Sequence, residues 1–212
     1  SPSDLDANPL NYKIHKGYRV LSQIQLDWFI QTLYDTPLDY HVIVLTHQAV
    51  RGLTLQDCNF TDDSQNMLVQ IGTHINGFPI TDVVDAFING KNLNKAYYYN
   101  SEANYLPNIT VIKDFSLRGI GNFVAYFSGH HHQDLIGKVG AYPNQYNVLI
   151  NCSTSSETSN KYGDLVRVLG EKSEDCFNVF SVDTENRKLK IIRVGANNSY
   201  NLKNRNLLVL DY

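Results

Sequence analysis

The chain has 212 residues, of which 42% are hydrophobic and 18% are charged, and its formal net charge at pH 7 is −3. Aromatic residues make up 11%, which excludes a disordered acidic or basic tail, because such segments are poor in aromatic residues. The small negative charge gives no general electrostatic reason to bind nucleic acid or a membrane surface. We find no transmembrane run and no signal-peptide region, so the compartment stays open.

The first predicted element is an amphipathic helix that leads to a buried strand. Ser22 and Gln25 match a capping box, and apolar residues follow at helical spacing to residue 34, before Pro37. Residues 40–46 (YHVIVLT) form a nearly continuous β-branched run, which is typical of a strand covered on both faces.

The rest of the chain is predicted to be rich in strands. A short helix is expected over residues 79–88, with Gly90 just past its end. The predicted strands lie at residues 95–99, 109–112, 122–127, 148–150, 177–182, 189–194 and 207–210. Strands outnumber helices, so we expect an α/β or α+β protein with mixed sheets, forming a single domain over residues 1–212.

Histidines follow two of the predicted buried strands. His47 comes after the first, and His130 and His132 come after the second, directly behind Gly129. An extended chain places residues two apart on one face, so both imidazoles can point to the same ligand. Neutral imidazole binds zinc, iron, manganese and related divalent ions. These three histidines are therefore candidate metal ligands.

The residues around these histidines resemble the later sequence blocks of the calcineurin-like metallophosphoesterases. L-T-H-Q (residues 45–48) and S-G-H-H-H (residues 128–132) are similar to the last two blocks, in which a strand-end His is followed later by G-H-x-H. Q-L-D-W-F (residues 25–29) resembles the helix before the first of these blocks. Residues 177–196 resemble the closing hairpin of bacterial and phage-associated members.

The resemblance implies a metal-dependent phosphoric ester hydrolase with a phosphorylated substrate. In it His47 and His130 would bind one ion and His132 a second, the native ions being Mn, Fe or Zn. Two ions about 3.5–4 Å apart activate a water for attack on phosphorus. Asp134 could orient a ligating imidazole, and His131 could contact the substrate phosphate.

The resemblance also implies a fold, namely the later part of a two-sheet αββα sandwich. The long spacing between His47 and His130 indicates an insertion within residues 51–122. Residues 146–212 would supply the closing strands and hairpin.

The earlier blocks of the family, D-x-H, G-D-x-x-D and G-N-H-[DE], have no counterpart in the right order. Residues 39–41 spell D-x-H, but they precede their strand and are interpreted as a chance match. Without these blocks the two divalent ions would be bound by imidazoles alone, and no bridging carboxylate would offset the repulsion between the ions. We therefore expect the carboxy-terminal part of a longer domain, whose missing amino-terminal part is its partner, and negligible turnover by this chain alone.

Two other interpretations stay open. The first is a non-catalytic binding or assembly module, from a phage or cell-surface protein, that retains the sheet and its histidines. The second is a single metal ion held by the histidines for a structural purpose, whose removal would lower thermal stability.

Overall fold

The structure is a computed structural model, and it describes residues 22–47, 49–50, 53–54, 78–98, 108–129, 135–139, 142–150, 170–172, 174–195 and 207–212. These residues form two helices and ten strands. In chain order they are α1 (Gln23–Asp35), β1 (His41–Thr46), β2 (Leu53–Thr54), α2 (Phe78–Asn89), β3 (Asn92–Tyr97), β4 (Ile109–Asp114), β5 (Asn122–Ser128), β6 (Leu135–Val139), β7 (Tyr142–Leu149), β8 (Cys176–Asp183), β9 (Lys188–Gly195) and β10 (Leu207–Asp211). The predicted mixture of helices and mixed sheets is confirmed.

The chain divides into two compact units. The first unit consists of Ser1–Tyr40 and Thr73–Gly121, and the second consists of His41–Gly72 and Asn122–Tyr212. Residues 51–77, which have a polar sequence with weak periodicity, lie outside the described residues except for Leu53 and Thr54.

Helix α1, in the first unit, begins at the predicted capping box. The Ser22 hydroxyl oxygen accepts a hydrogen bond from the Gln25 backbone N–H, and the Gln25 side chain accepts one from the Ser22 N–H at 3.0 Å. Its buried face carries Leu26, Ile30 and Leu33 at helical spacing. The helix ends before Pro37, because proline cannot continue the hydrogen-bond ladder.

The rest of the first unit combines α2 with the antiparallel pair β3 and β4. Gly90, with φ of +56°, ends α2 in the left-handed conformation that favours glycine. The rings of Phe87 and Phe115 meet edge to face, with their centroids 6.1 Å apart. Gly121 donates its N–H to the Phe87 carbonyl oxygen at 2.9 Å, which holds the end of the unit against α2.

The second unit contains two sheets. Described strands of the larger sheet run in the order β1-β5-β7-β6-β2, in which β1, β5 and β7 are parallel and β6 and β2 are antiparallel to their neighbours. The smaller sheet is antiparallel, in the order β10-β9-β8. The turn between β8 and β9 follows the predicted hairpin.

The two sheets share one hydrophobic core. It includes Val124, Ala125, Phe127, Ile136 and Val148 from the larger sheet and Leu189, Ile191 and Leu210 from the smaller sheet. The ring of Phe127 lies 4.3 Å from that of Phe180, centroid to centroid. Strand β5 is buried along nearly its whole length, as predicted for its apolar run.

Three features of the larger sheet differ from the sequence expectation. Strand β1 was expected to be covered on both faces, but Leu45 is 77% exposed and Ile43 is 39% exposed, because the core between the two sheets includes no residue of this edge strand. Strand β7 begins at Tyr142 rather than at residue 148. Strand β6 was not predicted, since Gly137 and Lys138 interrupt its short apolar pattern.

Candidate functional site

The carboxyl ends of β1 and β5 lie side by side. The strands are parallel, with Thr46 opposite Ser128, and the Gly129 N–H donates to the His47 carbonyl oxygen at 3.1 Å. Ligands of open α/β sheets bind beyond the carboxyl ends of the strands. The structure therefore brings together the two chain positions at which the candidate histidine segments begin.

The side chain of His47 is exposed at this edge of the sheet. His130, His131, His132 and Asp134 lie outside the described residues, so their convergence on His47 stays a prediction. What the structure provides is the backbone of Gly129, the residue before His130, hydrogen-bonded to the backbone of His47.

Strand β7 brings a third carboxyl end to the same edge. It runs parallel to β5, with Leu149 opposite Ser128, and the Ile150 N–H donates to the Ser128 carbonyl oxygen at 2.8 Å. Three adjacent parallel strands therefore end together, and β5, which ends at the first residue of the S-G-H-H-H segment, lies between the other two.

Two pairs of buried polar side chains lie between β5 and β7. The Ser128 hydroxyl donates to Asn147 Oδ1 and the Tyr126 hydroxyl donates to Gln145 Oε1, each at 2.7 Å. All four residues are buried. Among the described residues no acceptor lies within reach of Asn147 Nδ2. The sequence analysis missed these residues, although the polar N-Q-Y-N run over residues 144–147 beside an apolar strand is the signal that could have found them.

The three candidate histidines do not by themselves fit two divalent ions. Within the described part of the chain, no three His, Cys, Asp or Glu side chains lie together as a group that could hold a metal ion. The candidate ligands His47, His130 and His132 offer only imidazole nitrogens, and two adjacent cations need an anionic ligand between them to offset their repulsion. To hold two ions, these three residues would need a carboxylate from another residue.

His41 lies at the other end of β1 from His47. Its Nδ1 is 2.8 Å from the Tyr212 hydroxyl oxygen, and the two rings meet edge to face. Burial is the largest influence on the pKa of Tyr212, which it raises. His41 thus has a structural contact, in keeping with the interpretation of residues 39–41 as a chance D-x-H.

One buried cation lies in the smaller sheet. Arg193 is 4% exposed, and its Nη1 lies 2.9 Å from the Cys176 sulfur. Burial lowers the pKa of Arg193 to about 10, because a desolvated guanidinium favours its neutral form. No sequence motif singles out this residue.

Neither helix of the described residues is long and apolar enough to cross a membrane. Comparison with protein-family models, with curated proteins and with solved structures finds no match to this chain.

Proposed function

We propose that this chain is the carboxy-terminal part of a metal-dependent phosphoric ester hydrolase of the calcineurin-like type. In this proposal His47, His130 and His132 are metal ligands, and the remaining ligands come from a part of the domain outside the chain. The observation that carries the proposal is the hydrogen bond between Gly129 and His47, since it joins the ends of the two strands that lead into the resembling blocks.

The apolar surface of β1 supports the idea of a missing part. Ile43 and Leu45 lie opposite Ala125 and Phe127, so all four side chains belong to the same face of the larger sheet. Ala125 and Phe127 are buried in the core between the two sheets, whereas Leu45 is 77% exposed. Parallel strands are normally covered on both faces, and an apolar edge strand is a template for further pairing.

A strand added in parallel to the outer side of β1 would complete the site. Its carboxyl end would lie next to His47, because parallel neighbours end at the same edge. Carboxylate ligands on such a strand would provide the negative charge that the three imidazoles lack. The proposal therefore places the missing ligands at the edge beside β1.

The two-sheet unit fits the later half of an αββα sandwich. In support of this, β8 to β10 and the end of β7 lie within residues 146–212, where closing strands are expected, and Thr73–Gly121 of the first unit lies within the insertion expected over residues 51–122. In the full domain the site would hold two divalent ions. Here the chain's own part is to position imidazoles at the carboxyl ends of β1 and β5.

The test compares this chain with the same chain extended upstream. We expect the 212-residue chain to bind two metal ions weakly or not at all and to hydrolyse an aryl phosphate with Mn²⁺ negligibly. An extended protein that carries the D-x-H, G-D-x-x-D and G-N-H-[DE] blocks should bind two ions and hydrolyse the ester. His47→Ala and His130→Ala should each remove most of that activity, while His15→Ala, a histidine outside the motifs, should leave it unchanged.

Two results would contradict the proposal. Two bound ions with robust turnover in the 212-residue chain would refute the claim that further ligands lie outside this chain. An unrelated domain upstream, with no metal-dependent hydrolysis in the longer protein, would refute the hydrolase and favour the non-catalytic binding or assembly module.

A further inference from the structure

The peptide unit between Ser128 and Gly129 is hydrogen-bonded at both ends. Its carbonyl oxygen, from Ser128, accepts from the Ile150 N–H at 2.8 Å, and its N–H, from Gly129, donates to the His47 carbonyl oxygen at 3.1 Å. Ile150 directly follows β7, and His47 directly follows β1. This one peptide unit therefore ties the backbone of His47 to the ends of two neighbouring strands.

The side chain of Ser128 provides a third attachment at the same position. Its hydroxyl donates to Asn147 Oδ1 at 2.7 Å, and the two residues are 1% and 0% exposed. The end of a strand opens locally more readily than its middle, where hydrogen bonds continue on both sides. A buried bond from the side chain keeps the end of β5 closed, because water does not compete for it.

Stability alone does not explain why this buried pair is polar. Within the part of the chain that the structure describes, Asn147 Nδ2 has no acceptor, and an amide buried with an unused donor costs free energy. Replacing both partners of a buried hydrogen bond by apolar groups of similar shape is nearly neutral or stabilising. Departures from the most stable choice are expected at functional sites. Ser128 lies at such a place, next to the candidate metal site.

We propose that Ser128 and Asn147 are positioning residues of the candidate metal site. Their hydrogen bond fixes the end of β5, and the Ser128–Gly129 peptide unit in turn fixes the backbone from which the His47 side chain extends. Groups that hold a metal ligand in place contribute strongly to affinity, because the ligand must lie close to its bonding position. The inference rests on the proposed metal-binding role of His47, and it adds two residues that act on that ligand through the backbone.

The test measures Zn²⁺ binding by the 212-residue chain with isothermal titration calorimetry up to millimolar Zn²⁺, and His47→Ala defines the contribution of the site. We expect the wild type to bind one ion weakly. Ser128→Ala should weaken this binding roughly tenfold or more, which is the usual cost of removing an outer hydrogen bond of a metal site. The double variant Ser128→Ala/Asn147→Leu should recover most of the stability, measured by urea unfolding, but should bind Zn²⁺ as weakly as Ser128→Ala.

The matched control is Tyr126→Phe, which removes the neighbouring buried bond between the Tyr126 hydroxyl and Gln145 Oε1. Because Tyr126 lies two residues further from the end of β5, this variant should lose stability but bind Zn²⁺ like the wild type. Equal weakening by Tyr126→Phe and Ser128→Ala, or wild-type affinity in the double variant, would overturn the inference alone, since affinity would then not depend on the Ser128 bond. Equal binding by the wild type and His47→Ala would overturn the proposed function and this inference with it.

Discussion

Gly195 ends β9 at a position that a larger residue cannot occupy. Its φ is +85°, and a Cβ there would lie 2.0 Å from the Asp175 carbonyl oxygen. Gly170 has a similar φ of +81°, but a Cβ there would meet nothing within 4 Å. Both glycines therefore have a left-handed backbone, but only Gly195 is also approached closely by another main-chain segment.

We expect Gly195→Ala to destabilise the chain by at least about 2 kcal/mol more than Gly170→Ala does. Each substitution carries the left-handed penalty of about 1–2 kcal/mol, and only Gly195→Ala adds a steric clash with the backbone. Urea unfolding of the two variants and the wild type measures the difference. Equal losses of stability would contradict the role of the Asp175 contact.

Asp183 gives the hairpin a dependence on pH. The backbone N–H of Asn186 and then its side-chain amide donate to this carboxylate, and these hydrogen bonds lower the pKa of Asp183. Since the folded pKa lies below the unfolded one, the carboxylate stabilises the fold above the unfolded pKa. That stabilisation is lost as the pH falls through the folded pKa.

We expect Asp183→Asn to lower stability near pH 7 and to lose this effect as the pH falls through the lowered pKa of Asp183, because the wild-type carboxyl then becomes protonated as well. Asparagine keeps a side-chain oxygen that can accept from Asn186 but removes the charge. The free energy of unfolding of both proteins is measured at a series of pH values from 7 downward. A difference that stays constant with pH would show that the charge does not matter.

The buried pair of Ser128 and Asn147 predicts a specific non-additivity. Ser128→Ala should destabilise by about 1–3 kcal/mol, because it leaves the buried Asn147 Oδ1 without its donor. The double variant Ser128→Ala/Asn147→Leu should recover most of this loss, since replacing both partners by apolar groups removes the unsatisfied amide. A double variant less stable than Ser128→Ala would indicate that Asn147 makes an essential bond to another group.

At the scale of the element, the sequence predicts what is determined locally. The capping box at Ser22, the left-handed Gly90 after α2 and the turn between β8 and β9 each depend on a few adjacent residues, and all three form as expected. The place of β1 in its sheet depends on distant residues. Its β-branched run fits a central strand and an edge strand equally well until its neighbours are known.

The exposed β1 gives a prediction that distinguishes the chain from the longer protein. Leu45→Lys should change the stability of the 212-residue chain by less than about 0.5 kcal/mol, because the side chain is 77% exposed. In the extended protein it should reduce metal-dependent hydrolysis strongly, since the charge would lie where the added strand covers the sheet. Thermal unfolding and activity are measured on both proteins. An equal, small effect in both would contradict a strand beside β1.

At the scale of the whole molecule, the sequence predicts that His47 lies next to the end of β5, but it does not predict the complete site. Parallel pairing brings together two strands that each lead into a histidine segment. The backbones of Gly129 and His47, just past the ends of these strands, are hydrogen-bonded to each other. If the remaining ligands belong to another part of the domain, as proposed, this sequence cannot contain them. The polar pair at Ser128 and Asn147 was missed for a different reason, because buried polar residues look like loop residues in a sequence.

Metal removal separates the remaining interpretations of the histidines. A ligand present at about 100 times its Kd stabilises the native state by about 2.7 kcal/mol, which corresponds to roughly 5–10 °C for a domain of this length. If the metal site is completed only by the missing part, EDTA should shift the melting temperature of the 212-residue chain by less than about 2 °C. The extended protein should lose several times that amount, and its His130→Ala/His132→Ala variant should not respond. A large EDTA effect on the 212-residue chain, abolished by the same substitutions and without any hydrolysis, would instead identify a single structural ion.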